Sequence, residues 1–275
     1  MMRFPLIKPL LVTALLVTGT AQAAPDAREV LAVSPVDDIV ARYPAMMSQG
    51  IREGLKQNGQ LPPMVANTIG NIVSSGFNSV DIEQQIITDL QAQLTDEQLQ
   101  AVSEWYRTPV ARKISSAEIA ASAPEAWPQI QASAPELNRK YKGTPKAEMF
   151  DRFDRAARAT ESAVDTTIAV QLGLATAMSA LSSESMHYEQ LERRIENQRG
   201  MLRGVVGQQV YDSYLYTYDK VSAQELALYL EFLESPAGKQ FSQVVTSSIQ
   251  QAIMEPVESI GRQISRFMAP PAGSE

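Results

Sequence analysis

Apolar residues recur at intervals of three and four along almost the whole chain. This spacing places them on one face of an α-helix, and it strongly limits the folds that the chain can adopt. Runs that alternate apolar and polar residues, joined by Asn-Gly or Asp-Gly, are missing, so β-hairpins are not indicated. The sequence therefore predicts an all-α protein. The longest apolar stripe lies near the carboxyl end and contains Phe241, Val245, Ser248, Ile249, Ala252, Ile253, Val257, Ile260, Ile264 and Phe267.

The first 23 residues have the parts of a secretory signal peptide. Arg3 and Lys8 form a basic start, an apolar run follows from Leu10 to Val17, and Ala21-Gln22-Ala23 is a small-x-small cleavage pattern. The apolar run is much shorter than the ~20 residues that span a bilayer, so no transmembrane anchor is expected after cleavage. We expect export, with cleavage after Ala23.

Charge and cysteine content restrict the partners and sites that the chain can have. It contains 24 Lys and Arg, 31 Asp and Glu, one His and no Cys. Removal of residues 1–23 takes away two basic residues and leaves a net charge of −9, which argues against nucleic acid as a partner because phosphate backbones bind clustered Lys and Arg. One His and no Cys cannot form a structural zinc site, and no cofactor is expected.

Breaks in the apolar pattern divide the mature chain into two halves. The segment KYKGTPK around Gly143 is the strongest linker candidate. We expect a flexible N-terminus over residues 24–33, helical repeats over 34–143 and 144–268, and a disordered tail over 269–275. Helices are also expected to kink or break at Pro44, Pro124, Pro128, Pro135 and Pro256.

One segment in each half follows the same pattern. Residues 94–114 align without a gap on residues 221–241, with Leu99, Glu104 and Pro109 identical to their counterparts. Each segment begins with a capping box, in which a Ser or Thr and a Gln or Glu three residues later satisfy free backbone N–H groups. We interpret the pair as an internal duplication and predict a duplicated helical bundle with two similar lobes.

Each segment also contains a Ser/Thr-Pro step, which predicts a tight corner between two amphipathic helices. The Ser or Thr caps the new helix, and proline takes its first position, where a missing N–H costs nothing. The residue before proline is disfavoured in the α region, so the earlier helix ends there. A small residue two positions after proline lets the helices approach closely. The corners consist of Thr108, Pro109 and Ala111 in the first segment and Ser235, Pro236 and Gly238 in the second.

The stretches LTDEQLQAVSEWYRTPVARK and VSAQELALYLEFLESPAGKQ resemble the signature of an exported bacterial family, domain of unknown function 2059. Its members show an aromatic residue and then Ser-Pro-x-Gly-Lys after a capped amphipathic helix. The second stretch matches this signature, whereas the first has Thr108 for Ser and Ala111 for Gly. The resemblance implies a periplasmic, all-helical protein, and it brings no catalytic residues because the family has none assigned.

No catalytic motif is present, and the acidic candidates for chemistry have simpler interpretations. Glu184 and His187 form one Glu-x-x-His pair, but a carboxylate-bridged metal site in a helical bundle needs two. Asp151 and Asp154 lie one turn apart, as carboxylates for acid-base work can. Arg152, Arg155 and Arg158 in the same stretch, however, favour a solvated ion-pair face.

Two basic patterns and one aromatic pattern leave a binding role open. Arg199 and Arg203 lie one turn apart and can hold an anion, although neighbouring glutamates favour an ordinary charged helix face. Arg112 and Lys239 lie beside the new helix at each corner, where an anion can bind. The candidate interaction face consists of Tyr211, Tyr214 and Tyr218, which share one side of a helix and suit either packing in the bundle or contact with a partner.

Three functions are consistent with the sequence. The first is a non-enzymatic binding module for a protein or another component of the cell envelope. The second is a periplasmic hydrolase that uses carboxylates alone, which requires two acidic groups in a deep cleft. The third is a carrier of an apolar ligand between helices, in a cavity lined by residues such as Ile168, Leu172 and Met178.

Overall fold

The computed structural model describes residues 25–57, 78–179 and 188–268. Every regular element in these ranges is helical, which confirms the predicted all-α fold. No helix in this part of the chain is long and apolar enough to cross a membrane. The predicted signal peptide and the predicted tail lie outside the described residues. The helices are α1 (Ala27–Val33), α2 (Val36–Val40), α3 (Tyr43–Gln57), α4 (Ser79–Gln93), α5 (Asp96–Tyr106), α6 (Pro109–Ala121), α7 (Trp127–Tyr141), α8 (Pro145–Glu148), α9 (Phe150–Ala157), α10 (Ala159–Ser179), α11 (Tyr188–Glu196), α12 (Arg199–Thr217), α13 (Ala223–Glu234) and α14 (Pro236–Met268), and a short 3-10 turn (Pro124–Ala126) precedes α7.

The expectation of a flexible N-terminus over residues 24–33 is wrong for α1. Asp26 caps this helix, and its carboxylate accepts a hydrogen bond from the N–H of Glu29 at 2.8 Å. Ala27, Val30 and Leu31 are buried because their spacing places them on one helical face, which packs against α4 and α5. This segment is therefore part of the core.

One hydrophobic core unites helices from both predicted halves, so the halves do not form separate lobes. The long helix α14 packs against α4 and α5 of the first half and against α10 and α13 of the second. An amphipathic helix must bury its apolar stripe, and a stripe as long as that of α14 can cover several helices at once. A second apolar cluster consists of Val164, Ile168, Leu172, Leu191, Ile195 and Val206 on α10, α11 and α12.

The predicted linker at Gly143 is a short turn that is tied to the rest of the protein. Gly143 has a φ of 68°, a left-handed conformation that glycine adopts without strain. On one side of it, the Tyr141 hydroxyl donates to a carboxylate oxygen of Asp219 at 2.8 Å. On the other side, the buried Lys146 ammonium donates to the carbonyl oxygen of Tyr218 at 2.7 Å. The turn thus anchors the end of α12.

Both predicted corners are present and have matching hydrogen bonds. The Thr108 hydroxyl accepts from the N–H of Ala111 at 3.1 Å, and the Ser235 hydroxyl accepts from the N–H of Gly238 at 3.1 Å. Both capping boxes are also formed. The two segments therefore have the same local structure, and their origin by duplication stays a prediction.

The two corners pack directly against each other. The Trp105 and Phe232 rings, which occupy equivalent positions, stack with centroids 4.9 Å apart and planes 9° apart. Tyr106 meets Phe241 edge to face at 5.7 Å. This aromatic contact joins the two segments within the common core.

Proline interrupts fewer helices than expected. Pro44 and Pro128 lie in the first turns of α3 and α7, where the missing N–H has no acceptor in the helix. Pro135 lies inside α7 and has no N–H to donate to the helix, so one backbone hydrogen bond is missing. Packing of α7 against α12 stabilises the helix despite this loss. Helix α14 continues through Pro256. The predicted break at Pro135 is therefore wrong, whereas Pro124 and Pro128 lie where the 3-10 turn and α7 begin.

Candidate functional site

The described residues form a cleft of about 570 Å³ between the two halves of the chain. Helices α3, α6 and α7 contribute one side of it, and α9 and α12 contribute the other. The lining is mainly apolar, with a few polar groups among aromatic and aliphatic side chains. It consists of Met46, Glu118, Ala121, Ser122, Trp127, Ile130, Gln131, Phe153, Ala159, Gln209, Val210, Asp212, Ser213, Tyr214, Thr217 and Tyr218.

Glu118 is one of the two acidic residues that line the cleft. One of its carboxyl oxygens, Oε1, accepts hydrogen bonds from the Tyr218 hydroxyl at 2.7 Å and the Tyr229 hydroxyl at 2.8 Å. Burial raises the pKa of Glu118 because the apolar surroundings disfavour its charged form, and the two hydrogen bonds only partly oppose this effect. Burial likewise raises the pKa of both tyrosines. Both hydroxyls donate to the same carboxyl oxygen, Oε1.

Glu118 belongs to no catalytic motif, but its position in the helical pattern of α6 is unusual for an acidic residue. Ala111 and Ile114 are buried on the inner face of α6, and continuing their helical spacing leads to position 118. An apolar residue is expected there, and an acidic one is an exception that needs partners. Its partners are two tyrosines that lie 100 and 111 positions away, which no local pattern indicates.

Asp212 is the second acidic residue of the lining, and its environment differs from that of Glu118. Its Oδ1 accepts hydrogen bonds from the side-chain amides of Asn138 and Gln208, each at 2.8 Å. Asn138 comes from α7 and Gln208 from the preceding turn of α12. These contacts hold the Asp212 carboxylate in place between the two helices.

The candidate interaction face of Tyr211, Tyr214 and Tyr218 is not exposed. Tyr214 and Tyr218 are only 2% and 3% exposed, and Tyr211 is half-buried. Phe150 and Phe153 of α9 cover the stripe, with Phe150 4.9 Å from Tyr211 and Phe153 5.2 Å from Tyr214 between ring centroids. The packing interpretation is therefore correct, because a helical aromatic stripe in a bundle buries its large apolar area against a neighbouring helix.

Lys146 binds the end of α12 that carries these tyrosines. Its backbone carbonyl accepts a hydrogen bond from the Tyr214 hydroxyl at 2.8 Å, and its ammonium donates to the carbonyls of Tyr218 and Asp219. A cation at the carboxyl end of a helix also interacts favourably with the helix dipole. Desolvation lowers the pKa of Lys146, because the protein interior disfavours its charged form.

The other predicted acidic candidates do not form a catalytic pair in the structure. A carboxylate oxygen of Asp154 accepts a hydrogen bond from the N–H of Thr160 at 2.7 Å, and Asp151 is exposed. Glu184 and His187 lie outside the described residues. In the part of the chain that the structure describes, no cluster of His, Cys, Asp and Glu could hold a metal ion.

Arg199 and Arg203 are engaged by acidic groups of the protein itself. Arg199 donates to Glu196 at 2.8 Å, as the spacing predicts, and also to Asp165 at 2.6 Å on the neighbouring helix α10. Arg203 lies 3.2 Å from Glu161. These two arginines join α12 to α10, and no external anion is needed to balance them.

Residues 80–140 match the model of a bacterial family described as "Uncharacterized protein conserved in bacteria (DUF2059)". This match confirms the resemblance. The matched region contains the first corner and not the second. That the second segment is a clearer copy of the same family, and hence the tandem arrangement, stays a prediction. Comparisons with curated proteins and with solved structures found no match.

Proposed function

We propose that this protein, which contains a DUF2059 region, is a non-enzymatic binding protein that holds a small, largely apolar ligand in the cleft. The observation that carries the proposal is a mainly apolar cleft of about 570 Å³ whose lining includes two acidic side chains, Glu118 and Asp212. Sites for small molecules are typically clefts of about 300–1,000 Å³ with apolar walls and a few polar groups that orient the ligand.

The chemistry of the lining restricts the ligand further. Trp127, Ile130, Val210 and Phe153 offer surface to an apolar body, and the carboxyl group of Glu118 can form a hydrogen bond with a polar group. The carboxylate of Asp212, which lines the same cleft, would repel an anionic group. The ligand is therefore expected to carry a neutral or cationic hydrogen-bonding group on an apolar skeleton.

The cleft is a better candidate for a binding site than the outer surface of the described residues. The tyrosines of the predicted interaction face are covered, and Val80, Met201, Val205 and Leu228 are the large apolar side chains exposed among the described residues. Only Met201 and Val205 are neighbours on one helical face. Isolated exposed apolar residues are normal on protein surfaces and carry no information about a partner.

The cleft also differs from the cavity expected for a carrier. Ile168 and Leu172 lie in the second apolar cluster and do not line the cleft, and the side chain of Met178 lies outside the described residues. The cleft proposed for the ligand is formed mainly by α6 and α7 of the first half and by α12 of the second half.

Tryptophan fluorescence can test ligand binding in the cleft. The chain has two tryptophans; Trp127 lines the cleft, and Trp105 lies in the core with an indole N–H that has no hydrogen-bond partner among the described residues. In a Trp105→Phe protein, the neutral apolar amine N-phenyl-1-naphthylamine should quench Trp127 saturably. Adding Ala121→Phe, which fills the cleft, should weaken binding at least about tenfold, or 1.4 kcal/mol.

Ala120→Phe is the matched control for this experiment. Ala120 lies next to Ala121 on α6 but is exposed and does not line the cleft. Its replacement should leave probe binding unchanged. Equal effects of the two variants, or the absence of saturable quenching, would contradict the proposed function.

A carboxylate-based hydrolase is the second candidate, because Glu118 and Asp212 line the same cleft. Burial keeps Glu118 protonated to higher pH, as a general acid requires, while Asp212 has polar surroundings. Hydrolysis of nitrophenyl glycosides by the wild-type protein, and its loss in Glu118→Gln, would replace the non-enzymatic proposal with this one.

We also propose that the protein works in the periplasm. The support is the signal-peptide pattern of residues 1–23. Intact-mass measurement on exported protein is expected to show an N-terminus at Ala24. A mass that includes residues 1–23 would contradict export through a cleaved signal.

A further inference from the structure

A second cleft, of about 230 Å³, has a concentration of positive charge. It lies between α9 and the beginning of α14, where Arg152, Arg155 and Arg158 come close to Lys239. Glu234 is the single acidic residue of its lining. The cleft joins two motifs that lie about 80 positions apart in the sequence, the arginine-rich stretch and the basic residue of the second corner.

Most of this positive charge is not balanced by the protein. Arg152 holds Glu234 with two hydrogen bonds, at 3.0 and 2.6 Å, and so neutralises it. Arg155, Arg158 and Lys239 are exposed, and none of them has an ion pair with a carboxylate in the described part of the chain. Three unpaired cations around one small cleft contrast with a chain whose net charge is −7.

Two of these cations occupy positions that local structure disfavours. Arg158 has a φ of 52° and a ψ of 34°, the left-handed conformation at the end of a helix that glycine adopts more easily. Lys239 lies in the first turn of α14, where the helix dipole favours acidic residues. In both cases a residue that the local backbone disfavours brings a positive charge to the same cleft. Residues that break such local preferences are expected at functional sites.

The side chains suit a phosphate group. Arginine forms two parallel hydrogen bonds to phosphate oxygens, and lysine adds a compact positive charge. We propose that the cleft formed by Arg155, Arg158 and Lys239 binds the phosphate group of a small molecule. This site is separate from the apolar cleft, so the proposal does not depend on the proposed function.

Titration with inorganic phosphate by isothermal calorimetry, at constant ionic strength, tests the proposal. The wild-type protein should bind phosphate saturably, and Lys239→Gln should weaken binding at least about tenfold through the loss of a charge-assisted contact. Arg112→Gln is the matched control, because Arg112 is the exposed basic residue at the same position of the first corner and does not line this cleft. It should change the dissociation constant by less than about twofold, as an exposed charge contributes little.

Two results would overturn the site. One is the absence of saturable phosphate binding to the wild-type protein. The other is an equal loss in Arg112→Gln and Lys239→Gln, which would mean that phosphate responds only to overall charge.

Arg158→Gly separates a binding role from a role in the fold. Glycine relieves the left-handed backbone, so the melting temperature without phosphate should stay the same or rise. Phosphate binding should nevertheless weaken at least about fivefold, because one guanidinium is lost. A lower melting temperature with unchanged phosphate affinity would show that Arg158 supports the fold instead and would overturn its assignment.

Vesicles distinguish a small molecule from a lipid headgroup as the source of the phosphate. The protein is expected not to sediment with vesicles of phosphatidylglycerol and phosphatidylcholine, because its net charge opposes an anionic surface. Sedimentation that inorganic phosphate and Lys239→Gln both abolish would assign the same cleft to lipid headgroups and overturn the small-molecule source.

Discussion

Replacing Gly238 by alanine should lower the free energy of unfolding by roughly 1–3 kcal/mol, the cost of overpacking a close contact. A Cβ atom at this position would overlap the carbonyl oxygen of Phe232 and lie 2.7 Å from its carbonyl carbon. These are backbone atoms, so the corner itself would have to open. The clash opposes the gain of about 1 kcal/mol that alanine normally brings over glycine inside a helix. Chemical denaturation measures the net effect.

Gly204→Ala is the matched control for the corner. Gly204 lies inside α12 and is exposed, and a Cβ atom added there would meet no atom of another described helix within 4 Å. This variant should be more stable than the wild type by up to about 1 kcal/mol. If both alanine variants were stabilised, Gly238 would not lie at a close helix contact. Ala111, which is buried at the equivalent position, shows that the first corner accommodates a Cβ atom.

Glu118→Gln should make the protein more stable at neutral pH. Glutamine keeps an oxygen that can accept the hydrogen bonds of Tyr218 and Tyr229, and it cannot ionise. The gain should be about 1.4 kcal/mol for each pH unit by which the folded-state pKa of Glu118 exceeds its unfolded-state pKa. Denaturation of both proteins at a series of pH values measures it.

The sign of this pH dependence follows from proton binding. In the unfolded chain Glu118 titrates near the ordinary glutamate value of 4.5, and in the folded protein burial raises its pKa. Between the two pKa values only the folded state holds the proton, so this group makes the wild type less stable as pH rises. The two proteins should therefore be equally stable below pH 4.5 and diverge above it. An advantage for the wild type at neutral pH would contradict a raised pKa of Glu118 in the folded protein.

Glu118→Leu tests the hydrogen bonds of Tyr218 and Tyr229 separately from the ionisation of Glu118. Leucine fills the space but accepts no hydrogen bond, which leaves the hydroxyls of Tyr218 and Tyr229 without their acceptor. Each unsatisfied buried hydroxyl costs about 1–3 kcal/mol, so this variant should be less stable than Glu118→Gln at every pH. Equal stability of the two variants would mean that the tyrosine hydroxyls find other partners.

Local structure was largely predictable from the sequence. The capping boxes that begin with Thr95 and Ser222, and the corners at Pro109 and Pro236, formed as predicted. Their hydrogen bonds join residues three or four positions apart, so a short stretch of sequence contains both partners. The predicted break at Pro135 was wrong because the packing of α7 against α12 is not visible in that stretch.

The sequence by itself determined the helices, their caps and the small residue that each corner needs, because these depend on neighbours along the chain. Only the tertiary structure decided which faces meet. It covered Tyr214 and Tyr218 with α9, placed Glu118 beside Tyr218 and Tyr229, and united both halves in one core around α14. Apolar periodicity shows that a helix face is buried but not which helix buries it, since that choice depends on contacts between residues a hundred positions apart.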